Sequence, residues 1–205
     1  MVPGVILAGG ASSRMGSPKA LLADDRGQPF VVRLVHAMAE AGLPDLVVVS
    51  GYEHESIVTA LSAPSVPAVT VVRNQDPSRG QLSSLWTAMD EVCGPETEAM
   101  VVMLVDVPLV APATIRTIVD AWRISRAPIV RPAVGPRRGH PVVFDRSVFE
   151  ELRRAPLDVG ARTVVRAHAS DILDVPVADT GCLTDIDTPE DYETQVRRGG
   201  PSSAS

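Results

Sequence analysis

The chain has 205 residues and a net charge of −6, which suit one α/β domain and argue against general nucleic-acid binding, because that function needs a basic face. No signal peptide or membrane-spanning run is predicted, and Cys93 and Cys182 lack the spacing of zinc ligands. We therefore expect a cytoplasmic protein with reduced thiols that binds neither nucleic acid nor membranes.

Short β-branched runs alternate with helical patterns along the chain. The predicted strands are 5–8, 46–50, 69–73, 100–105, 127–131, 140–144 and 173–177, and the predicted helices are 29–41, 54–61, 83–92, 112–125, 147–153 and 161–168. Continuous apolar strands separated by helices are typical of a parallel sheet covered on both faces. After residue 131 the rhythm changes, with a turn at 137–139 and a strand that need not be parallel. The pattern predicts a single-domain, Rossmann-like α/β fold with a mostly parallel sheet and a small antiparallel addition.

The end of the chain carries one more helix signal and then a polar tail. Thr188 is a suitable N-cap and Pro189 a suitable first helical residue. Residues 199–205 are small and polar, so we expect them to be disordered. No linker divides the chain, and the predicted domain is 1–198.

A loop of small residues with two cations follows the first predicted strand. Residues 7–19 read Leu-Ala-Gly-Gly-Ala-Ser-Ser-Arg-Met-Gly-Ser-Pro-Lys, and Lys19 is the only lysine in the chain. Glycines let a backbone approach a ligand, and ligands of open α/β sheets bind at the carboxyl ends of strands. The loop predicts a triphosphate cradle, although its spacing is not that of a P-loop or a dinucleotide fold, and an ordinary βα turn is the alternative. The residues assigned to it are Leu7, Ala8, Gly9, Gly10, Arg14 and Lys19.

Carboxylates occur at two places where they can meet at the ligand edge of the sheet. Asp106 directly follows the apolar run 100–105, and Asp185 and Asp187 precede the last helix. Carboxylates are hard oxygen ligands that suit Mg²⁺. Asp106 is the predicted first metal ligand, with Asp187 or Asp185 as the second. A loop or N-cap aspartate is an equal alternative for Asp106, and helix capping competes for Asp187.

Two further polar segments indicate substrate recognition. Residues 79–85 read Arg-Gly-Gln-Leu-Ser-Ser-Leu after Asn74, which suits contacts with a base or ribose and equally suits a capped helix start. Residues 137–140 read Arg-Arg-Gly-His, which can hold an anionic acceptor, or form a surface turn with solvated arginines. The residues assigned to the nucleotide are Asn74, Gly80, Ser83 and Ser84. Those assigned to the acceptor are Arg138, Gly139 and His140.

These motifs resemble the MobA-like NTP transferases, in particular the molybdenum cofactor cytidylyl- and guanylyltransferases. Residues 7–19 are similar to the family pattern L-A-[GA]-G-x-S-x-R-M-G-x-x-K, and Asp106 lies where the family has its magnesium-binding aspartate. Asp187 resembles the second metal ligand of related cytidylyltransferases, and Asp185 matches it less closely. The resemblance covers residues 5–197 and implies a nucleotide-diphospho-sugar transferase-like fold.

The resemblance divides between two branches of the family. Gly-Gln-Leu-Ser-Ser-Leu at 80–85 and Gly-His-Pro-Val-Val-Phe at 139–144 are similar to cytidylyltransferase segments. Leu-Ala-Gly-Gly at 7–10 is closer to the guanylyl branch, and Asp-Val-Pro at 106–108 departs from the common Asp-Gln-Pro or Asp-Met-Pro. CTP is the favoured donor on these grounds, with GTP as the alternative.

The resemblance implies a Mg²⁺-dependent transfer of a nucleoside monophosphate from the NTP to the phosphate of molybdopterin, with release of pyrophosphate. Arg14, Lys19 and Asp106 carry the chemistry in this interpretation. One alternative is an NAD(P)H-dependent oxidoreductase of the nicotine blue oxidoreductase type. Another is a carrier that delivers the molybdenum cofactor to a molybdoenzyme of the hydroxylase class.

Overall fold

The computed structural model describes residues 1–12 and 15–197. Arg14 and the predicted tail at 199–205 lie outside these residues. The strands are β1 (Gly4–Ala8), β2 (Leu46–Ser50), β3 (Thr70–Arg73), β4 (Ala99–Leu104), β5 (Ile129–Val134), β6 (Arg137–Arg138), β7 (Val142–Asp145) and β8 (Ile172–Pro176). The helices are α1 (Phe30–Glu40), α2 (His54–Leu61), α3 (Gln81–Val92), α4 (Pro112–Ser125), α5 (Phe149–Arg154), α6 (Arg162–Ala167) and α7 (Pro189–Tyr192).

The first four strands form the parallel half of one mixed sheet. Their order is β3-β2-β1-β4, and every pair among them is parallel. β1, β2 and most of β4 are buried on both faces, which matches their continuous Val, Ile, Leu and Met runs. The carboxyl ends of β1, β2 and β4 therefore meet at one edge of the sheet.

The antiparallel addition lies between the parallel strands. β7 pairs antiparallel with both β4 and β5, and β8 pairs parallel with β5 on its other edge. β6 forms a short hairpin with β5. The predicted turn at 137–139 is therefore wrong at its start, because Arg137 and Arg138 are paired strand residues and Gly135 (φ 56°) lies in the turn before them.

Helices cover both faces of the sheet, as the sequence pattern predicts. One apolar layer contains the buried residues of α1, α2 and α4, and the other those of α3, α5 and α6. Fully buried Trp122 and Phe30 are the largest side chains in a core that is otherwise almost wholly aliphatic. Within the described ranges, no helix is long and apolar enough to cross a membrane.

The segment after β8 returns across the ligand edge of the sheet. The Ile186 N–H donates to the Asp106 carbonyl at 2.7 Å, and Ile186 is fully buried beside Phe30. Thr188 forms a capping box with Asp191, which confirms the predicted start of the last helix. Only four residues of α7 are α-helical, because the chain continues as a π-helix at Glu193–Arg197.

Candidate active site

A cleft of about 290 Å³ opens at the carboxyl ends of β1 and β4. Eight of the residues that the sequence assigns to the site line it, namely Leu7, Ala8, Gly9, Gly10, Lys19, Gly80, Ser84 and Asp106. They come from three segments separated by tens of residues in the sequence. The parallel sheet and α3 therefore collect the predicted loop, the predicted metal ligand and the start of α3 around one cavity.

Close backbone contacts fix the wall formed by Gly9. A Cβ on Gly9 would lie 2.8 Å from the Ser84 Oγ, and a Cβ on Gly51 would lie 2.4 Å from the Gly9 carbonyl oxygen. A side chain at Gly51 would collide with backbone, and one at Gly9 would displace the Ser84 hydroxyl. The loop after β1 is thus held against the end of β2 and the first turn of α3.

Ser12 closes the same loop. Its carbonyl accepts from the Met15 N–H at 3.0 Å, and its Oγ accepts from the Lys19 N–H at 3.0 Å. Ser12 has φ 49° and Gly16 has φ 67°, so the chain turns twice through the left-handed region. These turns bring Lys19 back to the sheet edge beside Asp106.

Lys19 joins the two predicted carboxylate sites. Its Nζ donates to the Asp187 Oδ1 and lies 3.8 Å from the Asp106 Oδ2. The lysine side chain is only 12% exposed, and the two aspartates are 29% and 33% exposed. The one lysine of the chain therefore lies between two carboxylates that are far apart in the sequence, and offsets part of their charge.

Asp106 lies in an environment that disfavours its charged form. Burial raises its pKa, the Lys19 charge opposes this effect, and the carboxylates of Asp185 and Asp187 raise the pKa further. Its Oδ1 is buried and has no hydrogen-bond partner among the described residues. An unsatisfied carboxylate oxygen costs free energy unless a cation or donor reaches it.

These features suit a site for a divalent cation whose remaining ligands come from the substrate. In the part of the chain that the structure describes, no set of three or more His, Cys, Asp or Glu side chains forms a ready-made metal site. Mg²⁺ is commonly held by one or two carboxylates together with substrate phosphates. Asp106 and Asp187, bridged by Lys19, match that pattern, and the unpartnered Oδ1 offers a free oxygen.

Asp185 lies on the same side of the segment as Asp187, because the buried Ile186 separates the two. Much of Asp185 is exposed, but its carboxyl is partly desolvated, and this desolvation and the charge of Asp187 both raise its pKa. It interacts electrostatically with Asp106 and Lys19 but does not line the cleft. Of the two aspartates, Asp187 is therefore the one in direct contact with the lysine.

Asn74 and Ser83 are buried under the cleft wall instead of lining it. The Asn74 Nδ2 donates to the Ser83 Oγ at 2.8 Å and to the Ser84 Oγ at 3.0 Å. The Ser83 Oγ in turn donates to the Gly80 carbonyl at 2.7 Å. Asn74 and Ser83 thus hold the start of α3 in place, while Ser84 reaches the cleft.

A second pocket of about 440 Å³ adjoins the first, and Leu7, Gln81 and Leu104 line both. The predicted acceptor residues Arg138, Gly139 and His140 line this pocket. Apolar side chains from α3, β4 and β7 form much of its wall. It can therefore hold a second, partly apolar molecule next to the cleft.

Gly139 and His140 are fixed by the segment that leads to Asp187. A Cβ on Gly139 would lie 2.1 Å from the Cys182 carbonyl oxygen, which also accepts from the His140 N–H at 2.9 Å. Burial lowers the pKa of His140 to about 4, and a hydrogen bond with the Val102 backbone opposes the shift only in part. His140 is therefore neutral at physiological pH, and its buried Nδ1 has no partner within the described ranges.

Three arginines reach the second pocket, but they differ in their partners. Arg131 and Arg138 both donate to Asp174, at 2.7 Å and 2.5 Å. Burial by itself would raise the pKa of Asp174, but the two guanidinium groups outweigh it and lower the pKa. The side chain of Arg162 makes no ion pair or hydrogen bond with any residue that the structure describes. Its guanidinium is the one not already neutralised.

Sequence reasoning missed Ser12, Gly51 and Arg162. Ser12 lay inside the recognised loop, but nothing in the motif separates a loop-closing serine from its neighbours. Gly51 directly follows β2, and parallel pairing of β1 with β2 would have placed it beside Gly9. Arg162 lies in α6, about twenty residues from the motif at 137–140, so only the tertiary fold brings it to the pocket.

Comparison with known proteins identifies the family of this chain. The family model of the MobA-like NTP transferase domain matches residues 4–172. A probable molybdenum cofactor guanylyltransferase of Rhodopirellula baltica is 29% identical over 92% of this chain and 88% of its own length. The nicotine blue oxidoreductase of Paenarthrobacter nicotinovorans is 31% identical over 92% of this chain and 93% of its own.

Solved structures show the same architecture. The crystal structure of Rv0371c from Mycobacterium tuberculosis superposes with a TM-score of 0.80 at 30% identity, covering 96% of this chain and 98% of that one. The same protein has also been solved in complex with manganese, with a TM-score of 0.74, 28% identity and the same coverage. Because the family model spans well over half of the residues and the fold agrees, the chain belongs to the MobA-like NTP transferase family.

Proposed function

We propose that this protein is a nucleotidyltransferase that moves a nucleoside monophosphate from CTP or GTP to the phosphate of a molybdopterin-type acceptor, with release of pyrophosphate. The observation that carries the proposal is Lys19, held between Asp106 and Asp187 at the edge of a glycine-walled cleft. The lysine and the glycine-rich backbone suit a triphosphate, and the two carboxylates suit its metal ion. The adjoining pocket provides a place for the acceptor.

In this transfer an acceptor phosphate oxygen attacks the α-phosphorus of the NTP, and the bond to the departing pyrophosphate breaks. The protein mainly positions the two substrates and neutralises charge. Gly9, Gly10 and Ser84 shape the wall against the nucleotide, and Lys19 and Arg14 offset the negative charge of the phosphates.

Asp106 and Asp187 would hold Mg²⁺, with Asp185 as a more distant carboxylate. The ion supplies charge stabilisation to the phosphates when it is bound. A manganese complex of a structural relative supports use of a divalent cation.

On the acceptor side, His140 and Gly139 would contact the ring system, and Arg138 would lie at the rim of the pocket. Neutral His140 can donate or accept one hydrogen bond without adding charge. A molybdoenzyme of the hydroxylase class is the proposed recipient of the product, and the cytoplasm the proposed location.

The main alternative is NAD(P)H-dependent oxidoreduction, which the 31% identity to nicotine blue oxidoreductase favours. The carboxylates around Lys19 oppose it, because hydride transfer makes no use of a paired metal site. A carrier of molybdenum cofactor would equally have no need of both metal carboxylates.

The test is a transfer assay with purified protein, molybdopterin, Mg²⁺ and α-labelled CTP or GTP, in parallel with a measurement of NADPH oxidation. The proposal expects label to move to the acceptor together with pyrophosphate release, and no NADPH oxidation above background. NADPH oxidation without label transfer would contradict it and favour the redox alternative. Tight binding of the cofactor without either reaction would favour the carrier.

A further inference from the structure

The cleft contains an acidic side chain that the transfer chemistry leaves unused. Glu53 lines it together with Gly10 and Gly80. Glu53 occupies the N-cap position of α2, yet its side chain makes no capping hydrogen bond. The Glu53 carbonyl accepts from the Ile57 N–H, but its carboxylate has no ion-pair or hydrogen-bond partner among the residues that the structure describes. Its carboxylate is therefore available to a ligand.

The sheet order places Glu53 on the far side of the cleft from the catalytic charges. Asp106 follows β4 and Glu53 follows β2, and β1 lies between these two strands. Neighbouring strands are about 4.8 Å apart, so two intervals separate the acids by about 10 Å. The proposed acceptor pocket lies on the β4 and β7 side of the cleft. A nucleotide with its phosphates at Lys19 and Asp106 would therefore extend its base toward Glu53.

A carboxylate in a cleft that binds a polyanion such as a triphosphate is unfavourable unless it meets hydrogen-bond donors. Guanine presents two adjacent donors, N1–H and the 2-amino group, which match the two oxygens of a carboxylate. Cytosine presents one amino donor beside the N3 and O2 acceptors, whose lone pairs a carboxylate repels. The unpaired carboxylate of Glu53 would therefore discriminate between guanine and cytosine, the two bases that the proposed function allows in the NTP.

We propose that Glu53 selects GTP over CTP by accepting hydrogen bonds from the N1–H and 2-amino groups of guanine. The inference rests on the proposed function, because it requires the cleft to bind a nucleoside triphosphate. It adds a specificity residue that does not touch the reacting phosphates.

The experiment is calorimetric titration of GTP, CTP and ITP, in the presence of Mg²⁺ and without acceptor, into wild-type protein and two variants. ITP has the N1–H of guanine but lacks the 2-amino group. The variants are Glu53→Gln and the matched control Glu55→Gln, which makes the same change at an exposed position of α2 outside the cleft. Hydrogen bonds to charged groups are each worth about 1.5–3 kcal/mol, or roughly 10- to 150-fold in affinity.

Wild-type protein and Glu55→Gln should bind GTP about tenfold more tightly than ITP and about 100-fold more tightly than CTP. In Glu53→Gln the affinity for GTP should fall at least about tenfold, and the preference for GTP over ITP should nearly vanish. The comparison of GTP with ITP on wild-type protein tests the contact even if the variant does not fold.

Preference of wild-type protein for CTP, or equal binding of GTP and ITP, would overturn the inference. An equal loss of GTP and CTP affinity in Glu53→Gln would also overturn it, because that pattern indicates a ribose contact. These results leave nucleotide binding and the proposed transfer intact. Failure of all three nucleotides to bind would instead remove the proposed function and this inference together.

Discussion

The two cavities at the ligand edge are built in different ways. In the first cleft, backbone and opposed charges dominate, and Lys19 is already paired with Asp106 and Asp187. In the second pocket, apolar walls dominate, and two of the three arginines are engaged by Asp174. The first cavity is organised to control charge during a reaction, and the second to hold a molecule by shape. Substitutions of the charged residues Lys19 and Asp106 should therefore act mainly on kcat, and those in the second pocket mainly on the KM of the acceptor.

The largest effect is expected from substitution of the charged residues of the cleft. Lys19→Ala and Asp106→Ala should each lower the rate of transfer by about 10³-fold or more, because preorganised charge at the reacting phosphates is lost. Both variants should retain the far-ultraviolet circular dichroism of the folded protein, since neither side chain supports the core. Transfer at the wild-type rate in either folded variant would contradict the assigned roles.

The backbone contact between Gly9 and Gly51 gives the next effect. Gly51→Ala places a methyl group 2.4 Å from the Gly9 carbonyl oxygen, so the cradle loop must shift. We expect nucleotide affinity to fall about 30-fold and stability to fall by about 2 kcal/mol, as for overpacked sites. Titration calorimetry and urea unfolding measure the two quantities. The control Gly94→Ala, which meets no atom within 4 Å, should change neither, and an unaffected Gly51→Ala would disprove the steric argument.

The second pocket should respond through the acceptor alone. Arg162→Ala removes the unpaired guanidinium and should raise the KM for the acceptor about tenfold, the cost of one charge-assisted hydrogen bond. The affinity for the NTP should not change. Arg166→Ala, one helical turn further along α6 and outside the pocket, is the control. Equal KM values in the two variants would leave Arg162 without a role.

The last effect concerns the pH dependence of stability, and it is absent at neutral pH. His140 has a pKa of about 4 in the folded protein, against 6.5 for a solvated imidazole in the unfolded chain. The unfolded chain therefore takes up a proton first as the pH falls. Stability from neutral His140 is complete above pH 6.5 and is lost as the pH falls from 6.5 toward 4. Melting curves should show a loss of about 2 kcal/mol across this window that is absent in His140→Gln. The same loss in that variant would assign it to other groups.

Much of the fold could be predicted because its signals are local. The helices at 54–61 and 112–125 and the strand at 46–50 have the predicted bounds, since each is a continuous pattern that ends at polar or small residues. The hairpin at β5 and β6 was missed because Arg137 and Arg138 have no strand pattern of their own. Their conformation depends on pairing with Ala133 and Val134, which the sequence does not reveal.

The candidate site divides in the same way. The loop from Leu7 to Lys19 is a contiguous motif, so its position at the cleft was predictable. Asn74 and Ser83 have the same polar character as Ser84, but they bond to each other beneath the start of α3, and of the three only Ser84 lines the cleft. Orientation around a helix start and contacts between distant segments require the folded structure.

The pairing of Lys19 has a practical consequence. The chain has only one ε-amine, which is 12% exposed and lies between two carboxylates. Acylation of this protein can therefore be followed by mass spectrometry as a single internal event. Its rate, with and without nucleotide, reports the occupancy of the cleft without any labelled substrate.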